Sequence, residues 1–185
     1  MAVLTTTPTP AVILAPLHLL FFSALLGAEL YQSFLVTKIC FSALPRPSFV
    51  SLQQRLFPAY FRAQSLLLLL AAATVPPSGP SSLAAKKGAW IPLAVAGAAA
   101  LLNLVLYGPR TKQLMIERAH QETGDSRTKP SGDSGEAETN SSETQRLKRS
   151  FSRNHAMSIH LNLVSIGATL WWGWNLASKL DFKTE

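Results

Sequence analysis

Among the polar side chains inside otherwise apolar stretches, Glu29, Gln32, Arg62, Asn103, His160 and Asn162 are placed to act together. A charge in hydrocarbon is costly, so such residues mark function or a specific internal pairing. Gln32 follows Glu29 by three residues and therefore shares its helix face. With a helical rise of about 1.5 Å per residue, Glu29 and Arg62 lie about 10 Å and about 9 Å from one end of a bundle, and Asn103, His160 and Asn162 can meet them in the same half. The expected arrangement is a Glu29–Arg62 pair supported by Gln32, Asn103, His160 and Asn162. Such a network either fixes helix register or, with Glu29 or His160 changing protonation state, forms a proton or ion site. The register role is the first expectation.

Other chemistry finds little support. Cys40 is the single cysteine, which leaves no disulfide framework and no cysteine-based metal site. His155 and His160 stand five residues apart, whereas metal ligands on one helix face need three or four. His18 lies eleven residues before Glu29 and reads as a structural, hydrogen-bonded histidine. No HExxH, P-loop, GxSxG or GxGxxG pattern occurs. No cofactor, no metal and no enzymatic activity are expected.

The elements that must carry these residues are membrane helices. The 185 residues are 48% hydrophobic and only 15% charged, with the apolar residues in blocks. A helix crosses a bilayer with about 20 residues, and four segments qualify, at 11–36, 56–75, 89–107 and 156–177. They leave a short tail at 1–10, connections at 37–55, 76–88 and 108–155, and a tail at 178–185. Segment one lacks the basic residues that open a secretory signal and is read as a retained helix. Segment two carries Pro58 and Arg62 in its first turns, and an amphipathic surface helix is its rival reading. Trp171, Trp172 and Trp174 are expected at a membrane interface.

Charge sets orientation. Of the 17 Lys and Arg residues, 13 fall in 37–62 and 109–155. The positive-inside rule then places both larger loops in the cytosol and both termini away from it. Asn140-Ser141-Ser142 is a glycosylation sequon, expected unmodified on that side. Residues 123–145 contain no aromatic or large aliphatic side chain and are expected to be disordered. Arg146, Lys148, Arg149 and Arg153 follow as a basic segment suited to anionic lipid headgroups. Small-residue pairs, Ser23 with Gly27 and Ala94 with Ala98, suit close helix contacts. The bilayer is the main partner, a protein at the cytosolic loops is a further one, and nucleic acid is not expected.

One resemblance covers nearly the whole chain. Leu44-Pro45-Arg46, Phe49, Leu52-Gln53, Leu56-Phe57-Pro58 and Tyr60-Phe61 resemble the first-loop signature of the transmembrane protein 205-like family of small four-helix membrane proteins. Gly108-Pro109, Thr111 and Glu117-Arg118 resemble the end of its third helix, and Phe151, His155, Ser158 and Asn162 the entry to its fourth. The resemblance implies that Pro45, Arg46, Phe49, Gln53, Phe57, Pro58 and Tyr60 form an ordered hairpin or surface helix. The insert at 123–145 and the charged Glu29 depart from that pattern.

The sequence thus describes an all-α, integral membrane four-helix bundle with one long, partly disordered loop. A structural or adaptor role leads, and a small transporter or channel using Glu29, Arg62 and His160 is the alternative.

Overall fold

The computed structural model describes residues 9–85, 88–127 and 134–179, with side chains described outside 122–141 and 143. Helix α1 (Pro10–Leu30) runs through a π-helical segment (Tyr31–Val36) into α2 (Thr37–Ala43). Then follow α3 (Arg46–Ala73), the short α4 (Pro80–Ala85) and α5 (Ile91–Leu102). A second π-helical segment (Asn103–Tyr107) leads directly into α6 (Gly108–Arg127), and α7 (Ser134–Ala177) is last. Among the described residues there is no strand.

The helices run past the apolar blocks that announce them. Hydropathy marks where side chains suit lipid, whereas backbone hydrogen bonding continues until something interrupts it. The first interruption is Leu44-Pro45. Leu44 is extended (φ −108°, ψ 143°), as a residue before proline prefers. Pro47 sits at the start of α3, where its missing N–H costs nothing. Residues 37–55, expected as a loop, are therefore helical except at this corner. Residues 123–127 and 134–145 of the segment expected to be disordered are also helical, and 128–133 lie outside the described residues.

Among the described residues, three helical stretches are long and apolar enough to cross a membrane: Pro10–Ala43, Arg46–Ala73 and Ile91–Gln121. α7 is less apolar because Ser158, Asn162, Ser165 and Thr169 interrupt it. These residues recur at spacings of four, three and four, so they share one face, and Ser158, Ser165 and Thr169 are buried.

α1 packs along α3, and α5 packs along α7. At one end of the bundle, Phe22, Leu25, Leu68, Leu93, Ala96 and Trp172 belong to a single apolar cluster. Ala96 and Ala100 are buried on α5, while the small-residue pairs Ser23 with Gly27 and Ala94 with Ala98 face outward and make no contact within the bundle core. Trp171 and Trp174 also face outward, but Trp172 is buried and does not take the expected interfacial position. The outer surface carries Leu20, Leu66, Leu69, Leu101 and Val105, all more than half exposed. Glu29, Gln53, Gln64, Asn103 and Ser165 are almost wholly enclosed. A polar interior beneath an apolar exterior is the arrangement that lipid as solvent favours.

Candidate functional site

Polar side chains meet at two places. The first is near the apolar cluster, at the Trp172 end. Trp172 Nε1 donates to His18 Nε2 at 3.0 Å. An indole N–H cannot accept, so His18 carries its proton on Nδ1 and donates it to the Ala71 carbonyl at 2.9 Å. One imidazole thereby ties α1, α3 and α7 together with both ring nitrogens occupied. This is the structural histidine expected from the sequence.

The second place is the opposite half of the bundle. Glu29 is 0% exposed. Its Oε1 accepts from Gln64 Nε2 and from Ser165 Oγ, both at 2.8 Å. Tyr60 donates its hydroxyl to Asn162 Oδ1 at 2.8 Å, and Asn162 Nδ2 donates to Ser33 Oγ at 2.7 Å. Asn103 Nδ2 donates to the Ser158 carbonyl at 3.1 Å.

The expected Glu29–Arg62 pair is not formed, and Gln64 takes that place. Tyr60 and Gln64 lie one turn apart and point inward. Arg62 lies about 200° round the helix from each, at about 100° per residue, and is exposed. His160 stands in the same relation to Asn162. It too is exposed, with Nδ1 on the carbonyl of Ala156 in its own helix. Of the six expected cluster members, Glu29, Gln32, Asn103 and Asn162 are thus brought to one region, and Arg62 and His160 are not.

Beside this network is a cavity of about 340 Å³. It lies between α3, the first π-helical segment, α6 and α7, and its wall includes Gln32, Gln53, Phe57, Tyr60, Thr111 and Ser158. Phe57 and Phe61 stack at 6.1 Å, with Tyr60 packed on Phe61 at 5.2 Å, forming an aromatic side. At Gly108 an added Cβ would lie 2.5 Å from the Asn103 carbonyl oxygen and 3.3 Å from the Phe61 ring. Only glycine lets α6 begin that close to the wall.

The polar wall atoms lack protein partners. Gln53 is 1% exposed, yet neither its Nε2 nor its Oε1 is hydrogen bonded. Gln32 Nε2 and Thr111 Oγ1 are likewise buried and unpartnered. A buried polar atom without a partner costs about 1–3 kcal/mol, so four of them on one cavity ask for an occupant. π-helical segments recur at functional sites, and here each of the two contains a buried polar residue, Gln32 and Asn103.

Of the seven residues expected to form the ordered hairpin or surface helix, four line this cavity: Gln53, Phe57, Pro58 and Tyr60. Of the other three, Pro45 and Arg46 make the exposed helix corner, and Phe49 packs edge-on against Phe41 at 5.4 Å. At the rim His155 stacks on Phe151 at 5.4 Å, and the Arg118 guanidinium lies over the same Phe151 ring, 5.0 Å from its centroid. Burial pushes the His155 imidazole below its ordinary value. Arg146, Lys148, Arg149 and Arg153 are all exposed on α7.

A family described as a domain of unknown function, DUF4149, matches residues 20–120. The chain belongs to the DUF4149 family. The match takes in α3, both π-helical segments and most of the cavity wall. A protein of Aspergillus fumigatus named Xanthocillin biosynthesis cluster protein D is 41% identical to this DUF4149 chain over 169 residues. That alignment covers 90% of this chain and 91% of the relative, and so includes α7 as well. No solved structure matches the chain.

Proposed function

We propose that this DUF4149 protein is a four-span membrane protein that takes a small molecule into the cavity between its helices. It is non-enzymatic in this reading and acts as a binder or carrier. The transmembrane protein 205-like resemblance belongs to the same reading, since its signature residues supply much of the wall. The fourth span is the part of α7 from 156 to 177. Its outward residues Leu163, Val164, Leu170 and Trp171 are about half exposed, while its polar stripe turns inward. With the basic loops cytosolic, both termini lie away from the cytosol and the cavity opens toward it.

One observation carries the reading: the buried Gln53 amide, with both polar atoms unpartnered, in the wall of a cavity of about 340 Å³. A purely structural glutamine would be satisfied by its neighbours, as His18 is. The relative named for a biosynthesis cluster is compatible with a small-molecule role. An adaptor role comes second, favoured by the four exposed bases ahead of residue 156, which suit anionic headgroups or an acidic partner.

The test is access. In a Cys40→Ser background, single cysteines replace Ser158 in the cavity wall, Leu25 in the apolar cluster and Ser51 on the exposed face of α3. Labelling at 158 by a membrane-impermeant thiol reagent applied from the cytosolic side, with 25 silent and 51 reactive, is the expected result. Silence at 158 equal to that at 25 would mean a sealed interior and would leave the adaptor reading in front.

A further inference from the structure

We infer that the cavity is shaped for an uncharged, planar aromatic molecule that carries a hydrogen-bond donor and an acceptor side by side. The inference rests on the small-molecule reading above and names the class of ligand for that site.

Three features of the wall select the class. Size comes first: about 340 Å³ is near the lower end of small-molecule pockets, which suits one or two fused rings. Shape comes second. Phe57, Phe61 and Tyr60 line one side, with Phe57 and Phe61 stacked on each other at 18° between planes, so that side is aromatic and suits ring contacts with an aromatic molecule.

Polarity comes third and is the most selective. The Gln53 amide offers one donor, Nε2, and one acceptor, Oε1, and both are buried and unmet. Because both are free, the choice does not depend on which atom is nitrogen. A carboxylate has no proton to give and would leave the amide oxygen unmet. An ammonium has no lone pair and would leave the amide nitrogen unmet. A carboxamide, or another group pairing N–H or O–H with an acceptor, meets both at once. Gln32 Nε2 and the Thr111 hydroxyl add a further donor and a group of either kind.

The charges around the wall agree. Among the described residues, no Asp or Glu lines the cavity; its only cation is Lys112, which is exposed. Glu29 is not among the residues of the cavity wall, and its Oε1 accepts from Gln64 and Ser165. A cation would therefore enter without a counter-charge, and an anion would have only a solvated lysine, so a neutral group loses least on desolvation.

The experiment uses the full-length protein in lipid nanodiscs and three probes of one shape: 2-naphthamide, 2-naphthoate and 2-naphthylmethylammonium. Binding is measured by equilibrium dialysis. The expected order is amide tightest, with carboxylate and ammonium each roughly tenfold weaker or more. Gln53→Leu should lower amide affinity roughly tenfold. Gln53→Glu should make the ammonium the preferred probe, which keeps the inference testable should the leucine variant misfold. Ammonium or carboxylate binding as tightly as amide to the wild type would overturn the class while leaving the cavity reading intact. So would the absence of any saturable binding when a cysteine at 158 is labelled, because water alone would then satisfy the wall. No binding together with a silent 158 would remove the cavity reading itself.

Discussion

At the Trp172 end of the bundle every polar group of the His18 knot has a partner; at the Gln53 end the buried polar groups outnumber their partners. His18 donates once and accepts once, joining three helices. Gln53 is as deeply buried and makes no hydrogen bond. Burial alone therefore says little about purpose. A buried polar residue that closes its own valences serves the fold, and one that leaves them open into a cavity is kept for something else. Between them lies Glu29, with one carboxylate oxygen doubly engaged and the other without a partner.

The comparison can be broken by substitution. His18→Ala should have the largest effect. It strands the Trp172 indole and the Ala71 carbonyl and leaves a void, at a cost of about 3 kcal/mol in the denaturant or thermal unfolding of detergent-solubilised protein. Gly173 tests the same end by overpacking. An added Cβ there would lie 2.6 Å from the Phe22 ring, so Gly173→Ala should cost about 1–3 kcal/mol.

Glu29 should separate size from hydrogen bonding. Glu29→Leu removes the acceptor of Gln64 and Ser165 and should cost about 2 kcal/mol. Glu29→Gln keeps a carbonyl oxygen for both donors and should cost less than about 1 kcal/mol. A loss on Glu29→Gln as large as that of Glu29→Leu, matched by Arg62→Ala, would restore the ion pair that the structure replaces with Gln64.

His155 sharpens the comparison at the rim. Its folded value lies below the ordinary 6.5, so folding favours the neutral ring. Its contribution is complete above about 6.5 and is lost as pH falls below that toward the folded value, because the unfolded chain binds the proton first. Unfolding temperature should therefore drop between about pH 7.5 and 5. His155→Phe, which keeps the stack on Phe151, should flatten that slope.

The sequence made the structural role of His18 and the long apolar helical stretches legible, and left the site half-hidden. The seam of α1 is written in His18, Phe22, Leu25, Glu29 and Gln32, at spacings of four, three, four and three. The polar stripe of α7 is equally regular, and with Tyr60 and Gln64 one turn apart it was enough to exclude Arg62 and His160 from the cluster by angle. Depth and cost of charge single out Arg62, whereas rotation about the helix axis turns Gln64 and Ser165 inward and Arg62 outward. The resemblance implies an ordered hairpin or surface helix within 37–55, and the chain there is helical on both sides of Leu44-Pro45, because backbone hydrogen bonding continues until a residue before proline turns extended. No sequence signal showed that the first-loop signature would form a cavity wall. That depends on α6 starting beside Phe61, which Gly108 permits, and on two π-helical segments whose register no local pattern announces.

The central claim is that the Gln53 amide does not hold the fold together. The most direct test is the unfolding temperature of Gln53→Leu beside that of wild type, in one detergent and without added ligand. The account predicts an unchanged or higher value, because the substitution removes two unmet polar atoms and breaks no hydrogen bond. A fall comparable to that of His18→Ala would contradict it, and would make Gln53 a structural residue of the same kind as His18.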